Sequence, residues 1–186
     1  MTRIVSGFAG SLTLKVPKSG TRPTSDQVRE AMFSALDARG ILDGAQVLDL
    51  YAGSGALGLE AASRGASEVV LVERGSAAAA VCRGNAQAVS KAAPSKVAID
   101  VAARPVQSYL DSAVGLFDLV FLDPPYDLPE AELASNLGAL VRLLGPDSLV
   151  VVERSSRSPE PTWPAGLVPT RSKKYGETVV WWAVPE

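Results

Sequence analysis

The sequence predicts an α/β domain built on a parallel β-sheet with helices on both faces. Short runs of Val, Leu and Ile alternate with helical patterns from residue 46 onward, which is typical of strands buried on both sides. Glycine and proline separate these runs. The length of 186 residues suits one domain with a full hydrophobic core.

The N-terminal segment precedes this alternation. Ile4 with Val5, and the alternating Leu12, Leu14 and Val16, predict the two short strands of a hairpin-like arm. A loop follows at 17–23, and we expect a helix to begin at Thr24 with Gln27 completing a capping box. The apolar face of this helix is formed by Val28, Met32, Ala35 and Leu36. Gly40 is expected to end the helix. We therefore divide the chain into a basic β-arm, 1–22, and a main domain, 23–186.

The main domain shows regular strand and helix patterns. Strands are predicted at 46–50, 68–72, 96–101, 117–122 and 149–153. Helices are predicted at 55–64, at about 76–90, and over about four turns between Leu133 and Leu144. Residues 167–174 and 178–184, separated by Tyr175 and Gly176, predict an antiparallel hairpin.

Composition excludes several kinds of chemistry. The chain has no histidine, which excludes Ser-His-Asp and Cys-His catalysis and His-ligated metal sites. Its single cysteine, Cys82, excludes an internal disulfide and a cysteine-rich zinc site, and we expect it to be an inert core residue. We therefore expect no metal. One cysteine and the lack of a run of about 18 apolar residues predict a cytoplasmic protein that does not enter a membrane.

Charge is unevenly distributed behind the formal net charge of -2. Residues 1–22 hold four basic and no acidic residues, and residues 154–175 hold five basic residues and one acidic. Two basic ends that fold onto one face would bind a polyanion. The alternative is ordinary solvated surface charge.

The first motif that carries chemistry is LDLYAGSGALG at 48–58, which follows a predicted strand and fits G-x-G-x-x-G. Such glycines let the backbone turn at a helix N-terminus and approach a ligand. Glu73 ends the next strand, where a carboxylate can accept hydrogen bonds from a ribose diol. The pattern fits a dinucleotide or S-adenosyl-L-methionine (SAM). Asp49 favours SAM, because it would repel a pyrophosphate and suit a cationic amino-acid group. A tight turn without a ligand is the third alternative.

The second motif is VFLDPPY at 120–126, at the carboxyl end of a strand. There the Asp123 carboxylate and the Pro124 carbonyl could accept both hydrogens of an exocyclic amino group on a nucleobase. This would favour a pyramidal nitrogen with its lone pair aimed at a methyl donor. Tyr126 could stack on the base. The alternative is a strand-ending turn with a core tyrosine.

Together, Asp49-x-x-x-Gly53-x-Gly55 and Asp-Pro-Pro-Tyr resemble the amino-group class of SAM-dependent methyltransferases. A narrower resemblance is to the RsmD family, which methylates the guanine 2-amino group in bacterial 16S rRNA. It is carried by RIVSG (3–7), RPTSDQVREAMFSAL (22–36), LDLYAGSGALGLEAASRGA (48–66), VFLDPPY (120–126) and YGETVV (175–180). These segments are spread over nearly the whole chain.

The resemblance implies a Rossmann-like, doubly wound, seven-stranded sheet with an antiparallel last strand. It implies a catalytic pocket that binds the target nucleobase and is formed by Asp123, Pro124, Pro125 and Tyr126. It implies cofactor contacts from Asp49, Tyr51, Ala52, Gly53, Ser54, Gly55, Glu73 and Arg74. Candidate RNA contacts are Arg3, Arg22, Thr24, Arg29 and Lys173, and their alternative role is a salt bridge or plain surface charge.

One segment departs from the family pattern. Such enzymes often carry Asp or Asn after the third strand of the sheet to bind the adenine amino group, whereas this chain has Ala103, Arg104 and Pro105 there. We therefore add Ala103 and Arg104 to the candidate cofactor residues and expect backbone groups or Arg104 to bind the adenine.

These observations predict a monomeric enzyme that uses SAM, releases S-adenosyl-L-homocysteine and methylates a guanine 2-amino group in 16S rRNA. Its substrate would be the 30S subunit or a late assembly intermediate. One alternative is methylation of an amino group in DNA or another RNA. From other classes, an NAD(P)-dependent oxidoreductase and a non-catalytic RNA-binding assembly factor also remain.

Overall fold

The computed structural model describes residues 2–17 and 25–186. The arm contains β1 (Thr2–Arg3) and β2 (Thr13–Leu14), and helix α1 (Asp26–Asp37) follows it. The other elements are β3 (Gln46–Leu50), α2 (Ala56–Ser63), β4 (Glu68–Val72), α3 (Ser76–Ala92), β5 (Ala98–Ala102), α4 (Val106–Ser112), β6 (Phe117–Leu122), α5 (Glu130–Leu140), a 3₁₀ turn (Val141–Leu143), β7 (Leu144–Ser155), β8 (Leu167–Tyr175) and β9 (Thr178–Pro185). In the described ranges, no helix has both the length and the apolar character needed to cross a membrane.

The main sheet has seven strands in the order β5-β4-β3-β6-β7-β9-β8. Strands β3 to β7 are parallel, and β9 runs antiparallel to both β7 and β8. The predicted doubly wound sheet with an antiparallel last strand is therefore confirmed. The strand order reverses between β3 and β6, and a ligand crevice forms at such a switch point. Leu50 pairs with Leu122, so the loops after these two strands leave the sheet side by side.

Helices cover both faces of the sheet. On one face α1, α2 and α3 pack over residues such as Leu71, Phe121 and Trp182. On the other face α4 and α5 pack over residues such as Leu48 and Leu122. Burial on both sides explains why the central strands contain continuous apolar runs rather than alternating ones.

The structure changes several predicted boundaries. Helix α1 begins at Asp26 and is capped by Ser25, whose Oγ accepts a hydrogen bond from Val28 N at 3.3 Å. The predicted cap Thr24 is therefore wrong, since Ser25 already supplies the capping oxygen. Thr24 itself lies outside the described residues. Helix α4 was not predicted, and β7 begins five residues earlier than predicted, at Leu144.

The N-terminal arm is fixed to α2 by two buried polar side chains. Glu60 accepts hydrogen bonds from Val5 N at 2.7 Å and Ser6 N at 3.0 Å. Ser63 Oγ donates to Ser6 O at 2.6 Å and accepts from Ala9 N at 2.9 Å. The segments 3–7 and 48–66, far apart in sequence, therefore form one structural unit.

Gly7 shows how closely the arm approaches α2. Its φ angle is 82°, and a Cβ atom at this position would lie 1.8 Å from the carbonyl oxygen of Ser63. Only glycine combines this backbone conformation with so close a contact.

Ser63→Ala should lower the free energy of unfolding by about 1–3 kcal/mol, because it leaves Ala9 N and Ser6 O without their side-chain partner. Urea denaturation measures this loss. Ser90→Ala, at an exposed position of α3, is the control and should change stability by less than about 0.5 kcal/mol. Equal stabilities of the two variants would contradict the anchoring role of Ser63.

Candidate active site

A cavity of about 250 Å³ opens at the carboxyl ends of β3, β4, β5 and β6, at the switch point of the sheet. Among the predicted cofactor residues, those that line it are Asp49, Tyr51, Ala52, Gly53, Ser54, Glu73 and Arg74. Asp123 and Pro125 of the second motif line it as well. The fold therefore brings both motifs to one cavity.

The glycine motif forms the turn between β3 and α2. Gly55 is the N-cap of α2 with φ 81°, a conformation that favours glycine. A Cβ atom at Gly55 would lie 3.0 Å from Cys82 Sγ. Cys82 itself is fully buried, and burial raises the pKa of its thiol to about 12. It is therefore a packing residue behind the loop, as predicted.

Asp49 supplies a buried negative charge beneath this turn. The side chain is 1% exposed, and its Oδ2 accepts a hydrogen bond from Gly58 N at 2.9 Å. Its Oδ1 has no hydrogen-bond partner within the described ranges. Burial, and secondarily the nearby Glu73, raise the pKa of Asp49 to about 7. A buried carboxylate oxygen without a partner at a cavity wall is suited to a cationic ligand group.

Glu73 connects the glycine turn to the start of α3. One carboxylate oxygen accepts from Gly53 N at 3.0 Å and the other from Gly75 N at 2.7 Å. Each oxygen has a second lone pair that can accept a further hydrogen bond, for example from a hydroxyl group. Glu73 therefore shapes the turn and lines the cavity at once.

Tyr51 is held by a hydrogen-bonded chain that the sequence did not indicate. Its hydroxyl donates to Asn136 Oδ1, and Asn136 Nδ2 donates to Gln107 Oε1 at 2.8 Å. Asn136 is fully buried on α5, and Gln107 lies on α4. Tyr51 has φ 65°, which costs a non-glycine residue about 1–3 kcal/mol. Two helices thus hold this wall of the cavity in a strained conformation.

The Asp-Pro-Pro-Tyr segment follows β6 directly. Asp123 is partly buried, and Pro124 is buried beside it. Leu128 N donates to Pro125 O at 3.0 Å, which closes the turn. Tyr126 is 56% exposed, so the alternative of a core tyrosine is wrong. The segment places a carboxylate on the cavity and an exposed aromatic ring three residues away.

The wall after β5 differs from the prediction. Ala103 and Arg104 are not among the residues that line the cavity, and Pro105 and Val106 take their place. Arg104 Nη2 instead donates to Ser108 O and Ser108 Oγ, at the surface of α4. Helix α4, which was not predicted, begins here and presents its own first residue, Val106, to the cavity. Cofactor contacts from Ala103 and Arg104 stay a prediction.

The predicted RNA contacts fall into different environments. Arg29 is fully buried, and its Nη2 donates to Asp26 Oδ1 and Arg3 O, both at 2.6 Å. Its prediction as an RNA contact is wrong, because the guanidinium is enclosed in an ion pair. Arg3 is exposed, and its Nε lies 3.5 Å from Asp26 Oδ2. Lys173 is exposed on β8. Arg22 and Thr24 lie outside the described residues.

Several cavity residues were missed by the sequence analysis. They are Val16, Pro17, Ala56, Leu57, Ala78, Val106 and Glu132. Ala56 and Leu57 continue the glycine motif, which could have indicated them. Val16 and Glu132 come from the arm and from α5, and only the packing of these elements brings them to the cavity.

Comparison with known proteins agrees with this geometry. The family described as conserved hypothetical protein 95 matches residues 2–184. The ribosomal RNA small subunit methyltransferase D of Escherichia coli strain K12 is 38% identical over 184 residues, covering 94% of this chain and 85% of that protein. The Haemophilus influenzae protein of the same name is 34% identical over 163 residues, covering 84% of this chain and 80% of that protein.

A solved structure is similar over the same extent. The Escherichia coli protein yhhF superimposes with a TM-score of 0.85 at 32% identity, covering 100% of this chain and 98% of that one. The resemblance to the RsmD family that the motifs indicated is thus confirmed. This chain belongs to the RsmD family of rRNA methyltransferases.

Proposed function

We propose that this protein methylates the 2-amino group of a guanine in the RNA of the small ribosomal subunit, with SAM as the methyl donor. The observation that carries the proposal is that one cavity contains the buried Asp49, the loop carboxylate Glu73 and Asp123 of the Asp-Pro-Pro-Tyr segment. The name of the relatives, ribosomal RNA small subunit methyltransferase D, supports the class of substrate.

The residues of the cavity fit SAM. Asp49 Oδ1, buried without a partner in the described part of the chain, suits the ammonium of the amino-acid end. Glu73 would accept hydrogen bonds from the ribose hydroxyls, and Val106 and Ala78 offer apolar surface to the adenine. When bound, SAM supplies an electrophilic methyl group. Asp49 would disfavour a pyrophosphate, which argues against the NAD(P)-dependent alternative.

The Asp-Pro-Pro-Tyr segment would orient the base. An exocyclic amino group is a weak nucleophile, because its lone pair is delocalised into the ring. The Asp123 carboxylate and the Pro124 carbonyl would accept its two hydrogens, which favours a pyramidal nitrogen. Tyr126 would stack on the base, worth about 1–3 kcal/mol. Positioning and electrostatics then perform the catalysis, with no histidine or metal required.

Binding would require the guanine to leave its stacked or paired position. Arg3 and Lys173 are exposed and would contact phosphates, and we keep Arg22 and Thr24 as candidates of the same kind. Phosphate contacts of this type make binding dependent on salt. We place the reaction in the cytoplasm, on the 30S subunit or a late assembly intermediate, and expect a monomeric enzyme.

Transfer of labelled methyl groups from SAM to 30S subunits that lack their own base methylations tests this function. Nucleoside analysis should find the label as 2-methylguanosine in small-subunit RNA. Label in another nucleoside would contradict the guanine assignment, and label in DNA or in another RNA would contradict the substrate. SAM binding without transfer to any nucleic acid would favour the non-catalytic factor, and NAD(H) binding in place of SAM would favour the oxidoreductase.

A further inference from the structure

Asn85 on α3 joins two segments that are distant in sequence. Its side chain is buried, with 3% of the residue exposed. Oδ1 accepts a hydrogen bond from Lys15 N at 2.9 Å, and Nδ2 donates to Lys15 O at 2.9 Å and to Ser54 O at 2.8 Å. One amide group therefore binds both main-chain groups of an arm residue and a carbonyl of the glycine turn.

Both of these segments form walls of the candidate cofactor cavity. Val16 and Pro17, which follow Lys15 directly, line the cavity, and so does Ser54. The Glu60 and Ser63 anchors hold the arm only at residues 5–9. Asn85 therefore adds a direct hold on the main chain at residue 15, beyond the β1–β2 pairing that ends at Leu14 and the burial of the Leu14 side chain.

The chemistry of this position requires an amide. It needs one acceptor for Lys15 N and two donors for the carbonyls of Lys15 and Ser54. An aspartate would keep the acceptor but place a carboxylate against two carbonyl oxygens, and alanine would leave all three main-chain groups without this partner. Asn85 therefore contributes more than packing volume.

We propose that Asn85 is a positioning residue for the cofactor, which holds the end of the N-terminal arm and the glycine turn in the arrangement that encloses SAM. The inference rests on the proposed function. It implies that docking of the arm and binding of SAM favour each other. Because such coupling is reciprocal, SAM should stabilise the docked arm to the same degree that the docked arm raises SAM affinity.

The test uses the full chain and the variants Asn85→Ala and Asn85→Asp. Val89→Ala is the control, since Val89 lies one turn further along α3, is fully buried and contributes no side-chain hydrogen bond. Calorimetry measures the Kd for SAM well below the melting temperature of every variant. Trypsin cleavage after Lys15, followed by mass spectrometry of the fragment that begins at Val16, measures opening of the arm with and without SAM.

Both Asn85 variants should bind SAM roughly tenfold or more weakly than the unmodified protein, a change within the usual range of coupling between sites. Their cleavage after Lys15 should be faster, and SAM should protect them less than it protects the unmodified protein. Val89→Ala should lose stability, because it truncates an equally buried residue of the same helix. Its Kd for SAM should stay within about twofold, because no hydrogen bond is removed.

Two results would overturn the inference. One is a Kd for SAM in both Asn85 variants equal to that of the unmodified protein. The other is an equal loss of affinity in Val89→Ala, which would reduce Asn85 to a contributor to helix stability. Failure of the unmodified protein to bind SAM would be a different outcome, because it would overturn the proposed function together with this inference.

Discussion

Asp49→Asn is expected to abolish tight SAM binding and at the same time to stabilise the protein in the absence of cofactor. The amide oxygen can still accept the hydrogen bond from Gly58 N, so the turn keeps its shape. The buried charge disappears, and with it the attraction for the ammonium of SAM. Loss of one member of a buried charge pair costs about 2–5 kcal/mol, so the affinity should fall on the order of 30-fold or more.

The gain in stability follows from the pKa of Asp49. Burial raises this pKa from 3.8 to about 7. Between these values the folded protein holds a proton that the unfolded chain has released, so the free energy of unfolding decreases as the pH rises. Above pH 7 the carboxylate is charged in both states and the full cost of burial, up to about 4 kcal/mol, is present. Asp49→Asn removes this cost.

Thermal melting between pH 5 and pH 8.5 tests both effects. Without SAM, the variant should melt higher than the unmodified protein at pH 8, and the difference should shrink as the pH falls below 7. With SAM, only the unmodified protein should gain melting temperature, and its affinity should increase as Asp49 ionises. Asp147→Asn, at an exposed position, should change neither property. Destabilisation of Asp49→Asn at pH 8 would contradict the argument.

The strands that form the site were predictable from the sequence because of how they are buried. β3, β4 and β6 have the predicted bounds, since strands covered on both faces must be continuously apolar and end where the chain turns into a loop. Helix α4 was missed because only Val106 and Leu110 are buried in its seven residues, too few to give a helical period.

The site residues that the sequence could predict are those at or just after the ends of strands. Asp49, Glu73 and Asp123 follow or end parallel strands, whose carboxyl ends meet at one edge of the sheet. Val16 and Asn136 reach the site only through tertiary packing, which no local pattern records. For Arg29, the structure shows the salt bridge that was the alternative to an RNA contact.

A spacing signal for Arg29 was nevertheless present. Asp26 and Arg29 are three residues apart, and this spacing brings the two side chains together on one helix face. An ion pair was therefore the better expectation for that arginine.

Asp123→Asn is expected to reduce the rate of methyl transfer about 100- to 1,000-fold, the usual cost of removing one electrostatic contact to a reacting group. The variant keeps the size of the side chain but replaces one acceptor oxygen with a donor NH₂ group. The remaining amide oxygen can still accept one hydrogen, but the variant lacks the negative charge that would offset the positive charge developing on the amino nitrogen during methyl transfer. The Kd for SAM should stay within about twofold, because none of the proposed contacts to the cofactor is made by Asp123.

The matched control lies in the same loop. Asp127 is exposed, four residues further along the chain, and is not among the residues that line the cavity. Asp127→Asn should keep the unmodified rate. Single-turnover kinetics on 30S subunits, together with SAM calorimetry, separates the methyl-transfer step from cofactor binding. Full activity of Asp123→Asn would contradict the catalytic role of this carboxylate. An equal loss in both variants would also contradict a specific role of Asp123, because the two changes have in common only the loop and the loss of one negative charge.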